Sequence, residues 1–316
     1  MKITTLIPAY KPQYLNELLT ALQKQSLRPD RIVFSDDSPD QSFVRLLGGE
    51  AIKTEFPELN IEVVPGPRCG AWANFQHLLE HHVGETDLFH LQLDDDIPYP
   101  AFYERHVQAH AMALTECVVS RRWTAAENGQ PTAAMEIPPA IHTHPQKLLV
   151  LDAGFLFPQT IATFRNWLGE FSNATFRAGM REELLTKQLA GISFTGLEDI
   201  GGFLAASLKA PLIYINENLG FFRTSPEQNT AQQQGRIFKL SVLGWIALAL
   251  AGRRLGHVSA EQSVALVQRI CALLTQHYSH DAALAHLATL ARNIGPDQNG
   301  AAEQAFLVAW HEFVKT

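Results

Sequence analysis

The chain has 316 residues, of which 46% are hydrophobic and 18% are charged. This composition is typical of a soluble globular protein whose core fills one large domain or two modest ones. The formal net charge of −7, with no basic stripe along the sequence, argues against a nucleic-acid-binding surface.

Short apolar runs alternate with amphipathic segments over about the first 120 residues, a pattern typical of α/β proteins. The apolar runs end at proline or polar residues and predict four strands: Ile3–Ile7, Arg31–Phe34, Ile61–Val64 and Leu88–Leu93. Helical spacing predicts helices over the segment with Leu15, Leu18, Leu19 and Leu22, over Ala71–His82 and over Ala101–Glu116. This alternation indicates a mostly parallel, doubly wound sheet.

The rest of the chain is less regular at first and then entirely helical. Further strands are predicted at Cys117–Ser120, Leu148–Leu151 and Leu212–Ile215, and helices at Arg181–Leu189 and Leu197–Leu208. From Ile237 onward, helical segments continue to the C-terminus with a break at Asn293–Gly300. The longest apolar run, Val242–Ala251, is too short to span a membrane and predicts a buried helix.

Polar clusters follow the carboxyl end of each of the first four predicted strands. They are Pro8-Ala9-Tyr10, Asp36-Asp37, Arg68–Asn74 and Asp94–Asp96. Ligands of doubly wound sheets bind beyond the carboxyl ends of the strands, so we expect these clusters to meet at one edge. This convergence is the main physical indication of a functional site.

Asp94, Asp95 and Asp96 place three carboxylates at the end of the fourth strand. Residues i and i+2 of an extended backbone point the same way, so Asp94 and Asp96 can face one point. Two converging carboxylates suit Mg²⁺ or Mn²⁺, which favour oxygen ligands and bridge to substrate phosphates. Acidic triplets also occur in solvated loops, so this motif indicates a metal site only in combination with the neighbouring motifs.

Five short motifs occur in an order that resembles the inverting glycosyltransferases of family 2, which have the Rossmann-like GT-A fold and use nucleotide-diphosphate sugars. They are Thr5–Tyr10, Ser35–Ser38, Gly70–Asn74, Leu93–Asp96 and Gly196–Asp199. The resemblance implies a GT-A catalytic domain over residues 1–230 and an all-helical C-terminal extension over residues 231–316. Within the catalytic domain, residues 1–116 would bind the nucleotide and residues 117–230 the acceptor.

The resemblance also implies a set of donor-binding residues at the ends of the first three strands. Those residues are Pro8, Ala9, Tyr10, Asp36, Asp37, Arg68, Gly70 and Asn74. The first three would line the nucleoside pocket, and one of the two aspartates would accept from the base, most often uracil. Two alternatives stay open: Asp36 and Asp37 open a turn, and Arg68 is a solvated loop cation.

In the same resemblance, Asp94 and Asp96 form the DxD motif that holds Mg²⁺ or Mn²⁺. Asp96 would be the direct metal ligand, and Asp94 would contact the ribose or a metal-bound water. Asp95 occupies the variable middle position of this motif. It would be one of the nucleotide-sugar-binding residues, and its carboxylate would point away from the metal. The metal neutralises charge on the departing nucleoside diphosphate.

Glu198 and Asp199 begin a predicted helix and resemble the Glu-Asp pair of the family. Asp199 would be the base that takes the proton from the acceptor hydroxyl, and Glu198 would bind or orient the acceptor. A helix N-terminus favours ionised carboxylates, so helix capping without catalysis is the alternative.

Two features depart from the family pattern. Many relatives have a metal-binding histidine after the strand that follows this helix, whereas the segment Leu219–Pro226 contains Arg223 and no histidine. Arg223 would contact the diphosphate directly, or the metal would be held more loosely. The Gln-x-x-Arg-Trp signature of processive synthases is also missing, as are transmembrane helices, which favours the addition of one sugar to one acceptor.

Two other groups of residues invite a functional interpretation. The histidines at positions 77, 81, 82, 142 and 144 lack the companion acid of a zinc motif such as HExxH and are predicted to be surface residues. The segment Asp152-Ala153-Gly154 is predicted to be an acceptor-side turn.

The sequence therefore predicts a metal-dependent inverting glycosyltransferase with a UDP-sugar donor and a glycan, lipid-linked or protein acceptor. Three scattered cysteines, Cys69, Cys117 and Cys271, are typical of reduced thiols in a cytoplasmic protein, and peripheral contact with the inner face of the membrane stays open. The alternatives are a non-catalytic nucleotide-sugar-binding protein and a phosphohydrolase with an aspartyl nucleophile in Asp94–Asp96. The sequence leaves the sugar, the acceptor and the oligomeric state open.

Overall fold

The structure is a computed structural model that describes residues 1–225, 228, 232–297 and 300–315. The chain divides into two units, each built from segments that are distant in sequence. The first unit comprises Met1–Leu151, Leu168–Leu185 and Lys209–Thr224, and the second comprises Asp152–Trp167, Thr186–Leu208 and Ser225–Thr316. The predicted boundary between residues 230 and 231 lies outside the described residues, as do Pro226 and two positions of the predicted Asn293–Gly300 break.

The described residues form strands and helices that alternate over the first half of the chain. The strands are β1 (Ile3–Ala9), β2 (Arg31–Asp36), β3 (Ile61–Pro65), β4 (Leu88–Leu91), β5 (Ile97–Pro98), β6 (Cys117–Ala125), β7 (Pro131–Ala134), β8 (Leu148–Leu151), β9 (Ala174–Arg177), β10 (Gln188–Leu189), β11 (Ile192–Ser193) and β12 (Leu212–Arg223). The helices are α1 (Leu15–Gln23), α2 (Ser42–Leu47), α3 (Glu50–Glu55), α4 (Ala71–His81), α5 (Phe102–Met112), α6 (Pro139–His142), α7 (Ala153–Thr163), α8 (Arg181–Thr186), α9 (Glu198–Lys209), α10 (Arg236–Arg254), α11 (Ala260–Tyr278), α12 (Ala282–Arg292) and α13 (Ala301–Lys315).

The first unit is organised around one large sheet with the strand order β3-β2-β1-β4-β9-β6-β12-β5. Strand β7 pairs with β6, and β8 pairs with β12. The strands β3, β2, β1 and β4 are mutually parallel, and so are β6 and β12. Strand β9 lies antiparallel between β4 and β6 and joins the two parallel parts. The prediction of a mostly parallel sheet is confirmed.

The central strand β1 is buried along its whole length, as expected for a parallel strand covered on both faces. Helix α1 buries Leu15, Leu18, Leu19 and Leu22 in the same core, which confirms the predicted amphipathic helix. Each fully buried leucine contributes about 1.5 to 3 kcal/mol relative to an exposed one. The sheet is therefore a rigid base for the loops at its edge.

The second unit contains the C-terminal helices, of which α10 packs on α11, α11 on α12 and α12 on α13. Residues Leu243–Arg253 of α10 are buried, so the predicted buried helix over Val242–Ala251 is confirmed. Arg253 forms a buried ion pair with Glu303, and Arg254 Nε donates to Glu303 Oε1 at 2.9 Å. These three residues link α10 to α13. Within the described ranges, no helix has both the length and the apolar character needed to cross a bilayer.

Several predicted boundaries differ from those in the structure because local bonds compete with regular structure. Helix α5 ends at Met112, not Glu116, since the next residue is extended and the Thr115 hydroxyl donates to the carbonyls of Cys117 and Pro211. Strand β4 ends at Leu91, two residues early, and the Leu93 amide donates to Ser172 Oγ.

Three further predictions differ from the structure. The predicted helix Arg181–Leu189 ends at Thr186, since residues Gln188–Leu189 form an antiparallel hairpin with Ile192–Ser193. Asp152–Gly154 is not a turn but the start of α7, where Asp152 Oδ1 accepts from the Phe155 amide at 2.8 Å. Strand β12 extends to Arg223, eight residues beyond the prediction, with irregular pairing on β6.

Three fully buried histidines in the first unit are neutral at physiological pH. His90 of β4 bonds Tyr103 Oη and the Ser172 carbonyl oxygen, both at 3.0 Å. His106 and His110 of α5 both bond the Thr175 hydroxyl at 3.0 Å. Burial lowers the pKa of His90 and of His110 to about 3. Protonating either imidazole therefore opposes folding.

We predict that stability falls as the pH drops below about 6.5, the pKa of an unfolded-state histidine. Between that pH and about 3 the unfolded chain binds protons that the folded chain does not, so each histidine costs about 1.4 kcal/mol per pH unit. Urea denaturation of His110→Gln across pH 4.5 to 7.5 should show a shallower pH dependence than the wild type. The exposed His144→Gln variant should retain the wild-type slope; equal slopes for all three proteins would contradict this account.

Candidate functional site

The carboxyl ends of β1, β2 and β4 meet at one edge of the sheet and are joined by hydrogen bonds. In the sheet register, Ala9 pairs with Asp36. The Asp37 amide donates to the Ala9 carbonyl oxygen at 2.9 Å, and the Tyr10 amide donates to Asp94 Oδ2 at 2.5 Å. The Arg68 amide completes the edge by donating to Asp37 Oδ1 at 2.7 Å. The polar clusters after the four strands therefore lie together, and we call them the acidic edge: Pro8–Lys11, Asp36–Ser38, Gly66–Asn74 and Asp94–Asp96.

The two aspartates after β2 have different environments. Asp36 is buried, and its carboxylate accepts from the Ser38 amide at 2.9 Å, the Ser38 hydroxyl at 2.5 Å and the Val44 amide at 2.9 Å. It thereby closes the turn that leads into α2. Asp37 is partly exposed and accepts from the Arg68 amide. Asp37 is therefore the one of the two whose carboxylate is accessible to a base.

The loop before α4 keeps its backbone close to Asp37. A Cβ at Gly66 would collide with Asp37 Oδ1, so a side chain there would displace the Asp37 carboxylate. Arg68 adopts a left-handed conformation with φ of 56°, and its side chain is exposed. Gly70 is the N-cap of α4 with φ of +94°, and the space that a Cβ would occupy there is open. Arg68 and Gly70 are therefore exposed to solvent on this loop.

Asn74 lies in the first turn of α4 and is buried. Its Nδ2 donates to the Ser35 carbonyl oxygen at 2.9 Å, while its Oδ1 has no hydrogen-bond partner in the described part of the chain. A buried amide oxygen without a donor is costly. Asn74 therefore links α4 to the end of β2 and leaves one acceptor unsatisfied.

The first carboxylate of the acidic loop, defined as Asp94–Asp96, ties this loop to the end of β1. Asp94 Oδ2 accepts from the amides of Tyr10 and Lys11 at 2.5 and 2.6 Å. Burial and the neighbouring charge of Asp95 raise the pKa of Asp94 to about 7, although the two amides favour the ionised form. One of its two oxygens is thus committed to the backbone.

The second carboxylate is neutralised by Lys11, a residue that sequence reasoning missed. Lys11 Nζ forms an ion pair with Asp95 Oδ2. Burial by itself would lower the pKa of the Lys11 ammonium, but the hydrogen bond and charge of Asp95, with the charge of Asp94, raise it overall. The only sequence signal for this pairing is that Lys11 directly follows the Pro8-Ala9-Tyr10 cluster.

The third carboxylate, Asp96, is only 1% exposed and has one unsatisfied oxygen. Oδ1 accepts from the Arg223 amide at 2.9 Å, whereas Oδ2 has no hydrogen-bond partner among the described residues. Burial and the charge of Asp95 raise the pKa of Asp96 well above its ordinary value, although the nearby Ser172 hydroxyl and the Arg223 amide favour the ionised form. Asp96 also lines a cavity of about 10 Å³ together with Arg122, Glu170 and Ser172. An unpaired buried carboxylate oxygen is an oxygen ligand that a divalent cation would satisfy.

Arg223, which was predicted to contact a diphosphate, has internal partners in this structure. Its Nε donates to the Asp95 carbonyl oxygen at 2.8 Å, and its Nη2 pairs with Glu17 Oε2 at 2.8 Å. Its Nη1 donates to the Glu127 carbonyl oxygen. The phosphate contact stays a prediction, and it would require these bonds to break.

Glu198 and Asp199 belong to the second unit, where they form the first turn of α9. Glu198 Oε1 accepts from the Gly196 amide at 3.0 Å, and Gly196 has φ of +90° with the backbone of Leu240 against it. Gly201 faces the Phe194 ring and leaves no space for a side chain. The predicted helix start is therefore present, while the roles of the two acids stay predictions.

The three histidines at the end of α4, which were predicted to be surface residues, are half-buried or exposed. The rings of His77, His81 and His82 lie 5.1 to 6.3 Å apart at the end of α4. Over the ranges that the structure covers, no group of three or more His, Cys, Asp or Glu side chains is arranged to hold a metal ion. Any metal at the acidic edge would therefore need ligands from a substrate or from water.

The fold is similar to that of S. aureus TarS. A crystal structure of TarS matches with a TM-score of 0.54 and 15% identity over 100% of this chain and 49% of that chain. TarS 1–349 matches with a TM-score of 0.55 and 13% identity in complex with UDP, and 0.52 and 14% in complex with UDP-GlcNAc. These two matches cover 100% of this chain and 90% and 92% of the TarS 1–349 chains.

This chain spans about half the length of the first of these TarS structures. No family model matches the sequence, and no curated protein matches it either. At this level of identity the likeness shows the fold alone. It confirms the predicted fold class, an α/β fold with a mainly parallel central sheet and C-terminal helices.

We predict that the two aspartates after β2 respond differently to the same substitution. Asp36→Asn should lower the free energy of unfolding by about 2 to 3 kcal/mol, because the side chain accepts three hydrogen bonds in a buried turn. Asp37→Asn should change it by less than about 1 kcal/mol, since an amide oxygen can still accept from Arg68. Chemical denaturation measures both, and an equal loss in the two variants would show that Asp37 is also a structural residue.

Proposed function

We propose that the chain is a metal-dependent inverting glycosyltransferase of the family 2 type, with a UDP-sugar as donor. The single observation that carries the proposal is the acidic edge, which contains the partly exposed Asp37 and a buried oxygen of Asp96 that has no donor among the described residues. The similarity to TarS structures in complex with UDP and UDP-GlcNAc supports this class of donor. The acceptor hydroxyl would belong to a glycan, a lipid-linked intermediate or a protein.

The donor nucleoside would bind where β1 and β2 end. The Asp37 carboxylate is accessible and can accept from the N3–H of a uracil ring. The Tyr10 ring is 58% exposed directly after the buried residues Pro8 and Ala9, so it can pack against the ribose or base. Gly70 and the exposed Arg68 lie on the loop before α4, where the diphosphate would have open space and a cation.

The acidic loop fits a divalent cation that takes most of its ligands from the substrate. Asp96 Oδ2 is the unsatisfied oxygen, and Asp94 keeps one oxygen on the amides of Tyr10 and Lys11. Mg²⁺ is commonly held by one or two carboxylates plus substrate phosphates, which is the set available here. When bound, Mg²⁺ or Mn²⁺ would supply positive charge that stabilises the departing diphosphate.

Asp199 is proposed as the general base of the transfer. Its carboxylate would take the proton from the acceptor hydroxyl, whose oxygen attacks the anomeric carbon while the bond from that carbon to the diphosphate oxygen breaks. Its place in the first turn of a twelve-residue helix supports an ionised carboxylate, because the N-terminal end of a helix favours negative charge. Glu198 is proposed to orient the acceptor.

A nucleotide-sugar-binding protein without turnover is the second candidate. It is favoured by the small number of protein ligands that the described residues offer to a metal. For either candidate we propose a reducing, cytoplasmic setting, which the three free cysteines support.

We predict that Asp96→Asn removes the effect of Mn²⁺ on UDP binding. Calorimetry of the wild type should show tighter UDP binding with Mn²⁺ than with EDTA, because the cation would bridge Asp96 and the diphosphate. In Asp96→Asn the two affinities should become equal. Asp87→Asn is the matched control, since Asp87 precedes β4 and accepts from the Lys2 amide. A metal effect that survives in Asp96→Asn would rule out the assigned metal ligand.

We predict that Asp199→Asn abolishes sugar transfer and leaves UDP binding within about twofold of the wild type, since a general base contributes mainly to the chemical step. Turnover of UDP-GlcNAc with a mixture of glycan acceptors, followed by UDP release, measures the first effect. Glu261→Gln provides the control, because Glu261 is also an acid in the first turn of a long helix, α11. If Asp199→Asn retains transfer as fully as Glu261→Gln does, then Asp199 is only a helix-start residue.

A further inference from the structure

Arg223 is a buried cation whose surroundings are unusually complete. The residue is the last of β12 and only 2% exposed, and its guanidinium lies over the Tyr14 ring at 4.2 Å and the Phe221 ring at 5.1 Å. Removing a guanidinium from water is costly unless hydrogen bonds and opposite charges satisfy it. The identity of those partners therefore indicates what the residue does.

On one side, Arg223 holds the acidic loop through both its backbone and its side chain. The Arg223 amide donates to Asp96 Oδ1 at 2.9 Å, and Nε donates to the Asp95 carbonyl oxygen at 2.8 Å. These two bonds fix the backbone and the carboxylate of consecutive residues. They hold the Asp96 carboxylate with Oδ1 on the Arg223 amide, while Oδ2 has no hydrogen-bond partner in the described part of the chain.

On the other side, the guanidinium is anchored to α1 and to the loop between β6 and β7. Nη2 pairs with Glu17 Oε2 at 2.8 Å, and Nη1 donates to the Glu127 carbonyl oxygen. Gly129 lies against the ion pair of Glu17 and Arg223. Its φ is +79°, and a Cβ there would be 3.2 Å from Glu17 Oε1 and 3.6 Å from Arg223 Nη1. The Glu17 side chain is 46% exposed, so this anchor can be altered from the surface.

We propose that Arg223 is a positioning residue that clamps the acidic loop to Glu17 and thereby aims Asp96 Oδ2 at the metal and diphosphate. The inference rests on the proposed function. Groups that orient a metal ligand without touching the metal strongly affect metal affinity. Arginine suits this role better than lysine, because its planar fork reaches three acceptors in fixed directions whereas an ammonium is a single flexible point charge.

The clamp and a direct phosphate contact predict different losses. A residue that touches the diphosphate contributes to UDP binding with or without metal. A residue that positions Asp96 contributes only to the gain in affinity that the metal brings. The ratio of UDP affinities with Mn²⁺ and with EDTA therefore separates the two roles, and a general loss of stability would not change this ratio selectively.

The experiment is calorimetry of UDP with Mn²⁺ and with EDTA on the full chain and four variants. Arg223→Lys should reduce the Mn²⁺-dependent gain by about 10- to 100-fold, the range for residues that support a metal ligand, and leave the EDTA affinity unchanged. Glu17→Gln removes the exposed half of the clamp and should reduce the gain by about two- to fivefold, as expected for a partly exposed ion pair. This surface variant tests the clamp even where Arg223→Lys unfolds.

Two controls match the two variants. Arg177→Lys alters another arginine that donates to two backbone carbonyls, those of Thr115 and His110, away from the acidic loop. Glu62→Gln removes the carboxylate of an ion pair with Arg31 that is as exposed as that of Glu17. Both controls should keep the wild-type gain.

The outcomes distinguish the clamp from the proposed function. If both Arg223→Lys and Glu17→Gln keep the full Mn²⁺-dependent gain in UDP affinity, the clamp is overturned. It is also overturned if a variant loses UDP affinity equally with Mn²⁺ and with EDTA, because that result indicates a direct phosphate contact. A wild-type chain that binds no UDP under either condition would overturn the proposed function, and the clamp's role with it. Only in that last case does the unaltered chain itself fail.

Discussion

Carboxylates that are buried at the end of a sheet have to find hydrogen-bond donors or cations, and this constraint organises the acidic edge. The parallel strands β1, β2 and β4 bring their carboxyl ends together, and with them Asp36 and the acidic loop. Backbone amides satisfy Asp36 and part of Asp94, and Lys11 satisfies Asp95. In the part of the chain that the structure describes, Asp96 Oδ2 is a buried carboxylate oxygen without a donor, and we propose that a cation binds there.

The same constraint explains why neighbouring acidic residues have different roles. Asp36 and Asp94 each hold a loop to an adjacent strand, so their charges serve the fold. Asp37 and Asp96 keep capacity for a ligand because one backbone amide, that of Arg68 or Arg223 respectively, donates to a single oxygen of each carboxylate. The proposed binding of a nucleotide and a cation at this edge rests on these two carboxylates, and Arg223 links the edge to α1.

The parts of the fold that the sequence could predict are those with strong periodicity. The buried strand β1, the leucine face of α1 and the helix α10 all carry patterns that identify them, and the gathering of polar clusters follows from the topology of parallel strands. Strand β9 was missed because four residues are too few to carry a distinctive pattern, although this strand joins the two parallel parts of the sheet.

Side-chain pairings across long separations could not be predicted at all. Glu17 and Arg223 are 206 residues apart, and no local pattern marks either as a partner of the other. The sequence also does not show that the Asp36 carboxylate is hydrogen-bonded within its own turn while Asp37 is accessible, because the two residues are adjacent and chemically identical. These differences depend on which backbone amides the tertiary fold brings near.

The measurement that tests the central claim most directly is a crystal structure of the chain with UDP and Mn²⁺, with the metal located by its anomalous signal. The account predicts one Mn²⁺ ion within about 2.0 to 2.6 Å of Asp96 Oδ2, bridging to the diphosphate, and the uracil ring at Asp37. A diphosphate bound away from the acidic edge, or a metal ion held by residues other than Asp96, would contradict it.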